Sequence, residues 1–169
     1  MINRPQPDEY SAYAARYVDL VGNDPILAIL EQQQQNSYNF FKGISPDKAA
    51  YAYAEGKWTI KQVLGHMIDT ERVFAYRALV FSHESIELPG FDQDVYMEKN
   101  TFNNRTLEDL ANEFKVVRES SLYLFRPMSD EQQMQKGIAS GNPFSVRAFA
   151  YMMAGHELHH IKILKERYL

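Results

Sequence analysis

The chain has 169 residues, 45% hydrophobic and 24% charged, which excludes a disordered polymer and allows one domain, residues 1–169, with a substantial core. A formal net charge of −4 and the lack of a basic stripe leave neither nucleic acid nor an acidic membrane surface as an expected partner. With no cysteine, thiolate metal sites and cysteine nucleophiles are excluded, so His, Asp and Glu must carry any metal.

The opening Met1 to Glu9 is polar with two prolines and does not look like a secretory signal. Arg77 interrupts the apolar stretch Val73 to Phe81, and no run approaches the roughly 20 apolar residues of a membrane span. The expected location is therefore the cytoplasm.

In chain order, a short helix is predicted from about Asp8 to Leu20. The first long helix starts with Asp24 as N-cap and Pro25 at the first helical position, and stops at Gly43. Its buried stripe is Ile26, Leu27, Leu30, Tyr38 and Phe41, and the Gln32 to Gln35 run is expected on the solvated face. The second long helix opens on Thr59 and Gln62, a capping-box pattern, and runs to Phe81 or Ser82 with Ile60, Val63, Leu64, Met67 and Phe74 inward. The third opens at Thr106, carries Leu107, Leu110, Phe114, Val117 and Leu124, and ends before Pro127. The fourth runs from Ser145 almost to Leu169, with Val146, Phe149, Met153, Ile163 and Leu164 inward.

No β-alternating segment competes, so the predicted fold is all-α: a four-helix bundle plus a short N-terminal helix. The linkers Ile44 to Lys57, His83 to Arg105 and Met128 to Phe144 exceed simple hairpin turns. The one between helices 2 and 3 is long enough to cross the bundle, which predicts a crossover topology.

His156 and His160 lie one turn apart on the stripe of Phe149 and Met153, so both can face one ion. Ordinary core histidines with hydrogen-bond partners are the alternative, since buried imidazoles without partners cost stability. His66, between Val63 and Met67 on another inward stripe, favours the metal. With helices 2 and 4 antiparallel, its height matches that of His160 at about 1.5 Å per residue. Three imidazoles suit a divalent transition metal and leave positions open for water or substrate, as in catalytic sites.

Two other motifs overlap here. His156-Glu157-x-x-His160 spells the zinc-protease signature, in which Glu157 would be the base. Such proteases take a third ligand downstream, whereas only nine residues follow His160 in the sequence given, so the third ligand is expected upstream. The di-iron E-x-x-H motif requires a second copy, and none is found. Glu157 is the candidate catalytic base. His159, 100° from His160, is expected at the surface or behind the ligands. His83 suits the C-terminal end of helix 2. Asp69 either orients a ligand ring or is a solvated charge.

The run Lys57-Trp58-Thr59-Ile60-Lys61-Gln62-Val63-Leu64-Gly65-His66-Met67-Ile68-Asp69-Thr70-Glu71-Arg72 resembles the signature of the DinB/YfiT-like metalloenzymes. Ala154-Gly155-His156-Glu157-Leu158-His159-His160, the closing Arg167-Tyr168-Leu169 and the linker Leu88-Pro89-Gly90-Phe91-Asp92 are similar to it as well. The resemblance implies a crossover four-helix bundle and one divalent ion, nickel or zinc, on three histidines matching His66, His156 and His160. Some relatives work with low-molecular-weight thiols such as bacillithiol or mycothiol. The expected function is thus a metal-dependent thiol S-transferase acting on small electrophiles. A metal-dependent hydrolase and a non-catalytic metal- or ligand-binding bundle are the alternatives. Expected partners are a small-molecule thiol and an electrophile, with a second copy of the chain as a candidate homodimer partner.

Overall fold

A computed structural model describes all residues, Met1–Leu169. After a 3-10 turn at Pro7–Glu9 come α1 (Ala12–Val18), α2 (Ile26–Lys42), α3 (Pro46–Ala49) and α4 (Ile60–Phe81). They are followed by β1 (Glu87–Leu88), α5 (Gln93–Glu98), a 3-10 turn at Phe102–Asn104 and α6 (Leu107–Phe125). The chain closes with α7 (Asp130–Met134), β2 (Lys136–Ala139), β3 (Asn142–Ser145) and α8 (Val146–Arg167).

The four long helices are α2, α4, α6 and α8, and local chemistry sets their starts. Thr59 and Gln62 exchange side-chain and backbone bonds as a capping box, Thr106 Oγ1 accepts from the Asp109 N–H, and Ser145 Oγ accepts from the Ala148 N–H. At α2 the boundary shifts by one residue. Pro25, not Asp24, holds the cap position with an extended ψ of 125°, and its carbonyl takes the first helical bond from Ile29. The leading helix is also shorter than expected, because Ser11 caps it afresh at Ala12.

Cross-links between the helices fix their directions. Lys42 pairs with Glu108 and Glu31 with Arg126, so α2 and α6 are antiparallel. Lys61 donates to Asn103 O just before α6, while Arg72 meets Glu113, so α4 and α6 run parallel. The Tyr168 hydroxyl reaches Trp58 O, and Phe81 packs on Phe149, so α4 and α8 are antiparallel. Two adjacent parallel helices need a connection that returns along the bundle, and residues 82–106 supply it. The expected crossover is present.

A small sheet was not expected. β1 runs parallel to β2 with Leu88 opposite Ala139, and β2 pairs antiparallel with β3 through a turn at Ser140 and Gly141, both at positive φ. The strands are too short to show alternation, and Pro143 and Gly137 look like linker residues. Pro143 is tolerated because β3 is an edge. Gly137 is needed where it lies, since a Cβ there would fall 2.4 Å from the Phe81 ring.

The core is in two parts. One apolar cluster holds Leu30, Phe74, Phe81, Leu122, Phe149 and Met153, and the other holds Phe41, Leu64, Met67, Phe114 and Leu164. Each long helix passes from one to the other through buried polar residues: Gln33 and Ser37 on α2, His66, Thr70 and Glu71 on α4, Arg118 and Ser121 on α6, His156 and Glu157 on α8. These meet in one polar layer across the bundle. Gln33 thus departs from the expected solvated face, burying its amide to donate to Ala154 O at 3.1 Å. No helix is long and apolar enough to cross a membrane.

Candidate metal centre

On one side of the polar layer, α4 and α8 bring three imidazoles together. The Nε2 atoms of His66 and His156 are 3.0 Å apart and those of His160 and His156 3.1 Å apart. The three ligand nitrogens all lie within 4.8 Å of one another, and no other His, Asp or Glu joins the cluster. A tetrahedral ion at the usual zinc–nitrogen distance would space its ligand nitrogens by roughly 3.3 Å. Three converging lone pairs, two of the separations close to that spacing and the third within 4.8 Å, suit one divalent ion better than they suit one another, because a hydrogen bond needs a proton between each pair. The residues present therefore fit a metal.

Electrostatics points the same way. Burial pushes the His66 ring down to about 4, with His159 adding repulsion. Burial, reinforced by His66 and His159, takes His160 down to about 2, and His156 falls well below its ordinary value for the same reason. All three are neutral donors at physiological pH, the form a metal requires.

Close packing holds the rings. Trp58 lies against His66 with ring centroids 4.9 Å apart, and Tyr17 meets His156 edge-on at 5.4 Å. Gly155, just before His156, permits this: a Cβ there would fall 1.9 Å from the Tyr17 carbonyl oxygen, so only glycine lets α1 lie so close to α8. Gly65, just before His66, gives Phe102 its place in the same way.

His159 stays outside the ligand set, half-buried against the Tyr17 ring at 5.5 Å. His83 is exposed at the end of α4, with Nδ1 3.0 Å from Leu79 O. Asp69 leans toward Arg72 at 3.7 Å, and Thr70 Oγ1, 3.4 Å from His66 Nδ1, takes the place behind the ligand instead.

Glu157 requires a correction. Its position on α8 turns it away from His156 to the other side of the polar layer, where it accepts from the Ser37 hydroxyl and meets Arg118 Nη2 at 2.7 Å. Arg118 also forks onto Glu71 with two bonds of 2.8 Å. Burial raises the Glu157 carboxyl pKa against the opposing pull of Arg118. Burial also works against the guanidinium charge, but Glu71 and Glu157 override it and raise the Arg118 pKa. A carboxylate engaged in this closed cluster does not face the open side of the metal centre, so the protease-like role of Glu157 as base is not carried over.

That open side leads into a cavity of about 370 Å³ lined by His66, His156, Thr70, Phe74, Tyr17 and Arg77, among others. Its far wall comes from the crossover and the sheet, through Phe91, Ser140 and Phe144. Thr70, Phe74 and Arg77 follow His66 on one face of α4, a spacing visible in the sequence once His66 is taken as a ligand.

Residues 29–164 match the model of the DinB superfamily. The chain belongs to this superfamily. A similar protein of Oceanobacillus iheyensis, named "Putative metal-dependent hydrolase OB0413", is 26% identical over 125 residues, which cover 72% of this chain and 71% of that protein. The fold is similar to that of YfiT from Bacillus subtilis, described as "a probable metal-dependent hydrolase with an unusual four-helix bundle topology". That match has a TM-score of 0.76 and 14% identity, covering 97% of this chain and 90% of the other.

Proposed function

We propose that this DinB superfamily protein is a metal-dependent enzyme that joins a low-molecular-weight thiol to a small electrophile, with zinc or nickel on His66, His156 and His160. The observation that carries this reading is the chemistry of the cavity: a cluster of three neutral nitrogen donors that reaches its wall through His66 and His156, and no Asp or Glu anywhere in its lining. A divalent ion held there supplies Lewis acidity, which lowers the pKa of a thiol or water that reaches it. A thiol, at about 8.5 when free, needs only that help to become a nucleophile near neutral pH. Water starts much higher and is usually assisted by a side-chain base. Glu157, the carboxylate next in sequence to a ligand, is engaged by Ser37 and Arg118. The chain's own residues hold the ion, fix the His66 ring through Trp58 and Thr70, and wall the chamber with Phe74 and Phe144.

A hydrolase is the second reading, and the names of both relatives favour it. The two separate cleanly. The transferase reading expects a haloacetamide to be consumed by metal-loaded protein only when a cellular thiol is present, with a thiolate-to-metal charge-transfer band in a cobalt-substituted sample. Ester or amide hydrolysis without thiol, together with no sulfur binding across a panel of thiols, would replace it with hydrolysis.

A further inference from the structure

Three arginines are buried in this protein, and two have carboxylate partners. Arg118 sits between Glu71 and Glu157, and Arg147 is forked onto Glu9, with one bond of 2.7 Å. Arg77 has none. It is 6% exposed, yet no Asp or Glu lies within salt-bridge distance. Its Nη2 makes the only bonds, to the neutral Pro89 O at 3.0 Å and Ser140 Oγ at 3.2 Å. Nε and Nη1 have no protein acceptor, although a guanidinium presents five N–H groups in a fixed fork. Burial alone lowers its pKa, as expected of a cation without a counter-charge.

Arg77 also lines the chamber that opens from the metal centre. His66, Thr70, Phe74 and Arg77 face that chamber from successive turns of α4. Arg77 lies eleven positions after His66, so their Cα atoms are roughly 16 Å apart along the helix. No Lys, no second Arg and no acid lines the same cavity. A buried cation of this kind is costly unless something negative reaches it. Arg77 lines the chamber with Nε and Nη1 free of any protein acceptor.

We propose that Arg77 is the anion-binding residue of this chamber, so that the substrates are extended molecules bearing a carboxylate remote from the atom that reacts at the three histidines. A carboxylate suits the site better than a phosphate because the chamber, walled partly by Phe74, Phe91 and Phe144, offers a single guanidinium, which balances one negative charge, not two. The proposal rests on the chamber being the substrate site of the function proposed above. It holds whether a thiol or water is activated, since it concerns the opposite end of the molecule.

The test is calorimetric binding of phenylbutanoate, its neutral primary amide and a phenylalkyl phosphate of equal length, none of which carries a thiol. Each is titrated into metal-loaded and chelator-stripped wild-type protein, and into Arg77→Gln and Arg77→Lys. The acid should bind about tenfold to a hundredfold more tightly than the amide, as a charge-assisted bond in a buried site allows. It should also exceed the phosphate, and its preference over the amide should survive removal of the metal. That preference should disappear in Arg77→Gln and survive in part in Arg77→Lys, which keeps the charge but not the fork. An Arg77 Nε–H resonance that shifts with the acid and not with the amide would locate the contact. If Arg77→Gln does not fold, the wild-type comparison and Arg77→Lys decide. Equal binding of acid and amide, loss of the preference with the metal, or tighter binding of the phosphate would overturn the proposal.

Discussion

His156 and Glu157 are neighbours on α8, yet they belong to opposite halves of the polar layer. Around Glu157 the layer is closed: Ser37 and Glu71 complete a cluster about Arg118, which is 0% exposed. Around His156 the layer is open, with three neutral nitrogens converging on one point beside a cavity. In the first half each charge meets another within the chain, which is the mark of a structural contact. In the second half the three donors have no charged partner within the chain. The same distinction separates Arg118 and Arg147 from Arg77. Burial of a polar group does not by itself mark a functional site; burial without a partner does.

The closed half should break most severely. Arg118→Met strips the counter-charge from two buried carboxylates and should cost about 3–5 kcal/mol in urea unfolding, enough to threaten folding altogether. Glu157→Gln is gentler, because Gln can still bond to Ser37 and Arg118 keeps its fork onto Glu71. It should keep full metal content by elemental analysis, whereas a base or ligand role would not predict an effect confined to stability.

The open half sharpens the contrast through pH. In metal-stripped protein the folded-state pKa of His66 lies below its unfolded value. Both states are neutral above about pH 6.5, and below it only the unfolded chain takes the proton until about pH 4 is reached. Stability should therefore fall as pH drops through that window, by roughly 3 kcal/mol from this ring alone. The variant with His66, His156 and His160 all changed to Ala should give a flatter profile in denaturant melts at pH 7.5 and 4.5. A metal-stripped wild type as stable at pH 4.5 as at 7.5 would contradict the buried neutral assignment.

Gly155→Ala sets a Cβ against the Tyr17 carbonyl and should force α1 off α8. A loss of about 1–3 kcal/mol is expected, with faster hydrogen exchange confined to α1. The smallest effect belongs to His159→Ala, which should keep the metal and lose affinity modestly, through packing against Tyr17 and His160.

Much of this was legible in the sequence because it rests on local periodicity. Thr59, Thr106 and Ser145 announce their helices, and the inward stripes place His66, His156 and His160 before any fold is known. The crossover follows from a linker too long for a hairpin. What escaped depends on distant partners. β1 finds its partner about fifty positions downstream in β2, and all three strands pair over only two to four positions, too few for a period to show. Glu157 looks like a base within its own motif, and only Arg118, 39 positions upstream, shows otherwise. Arg77 looks in sequence only like an interruption of an apolar stretch, because nothing local reveals that its neighbours include no acid. Gln33 was hidden by its polar run.

The most direct measurement is the metal content of the protein as isolated and after reloading with zinc or nickel, compared with the variant in which His66, His156 and His160 are all Ala. About one ion per chain is expected in the wild type and almost none in the variant. The variant's far-ultraviolet helical signal should persist, because two apolar cores hold the bundle without the ion. A folded triple variant that still carried stoichiometric metal would contradict the assignment of these three histidines.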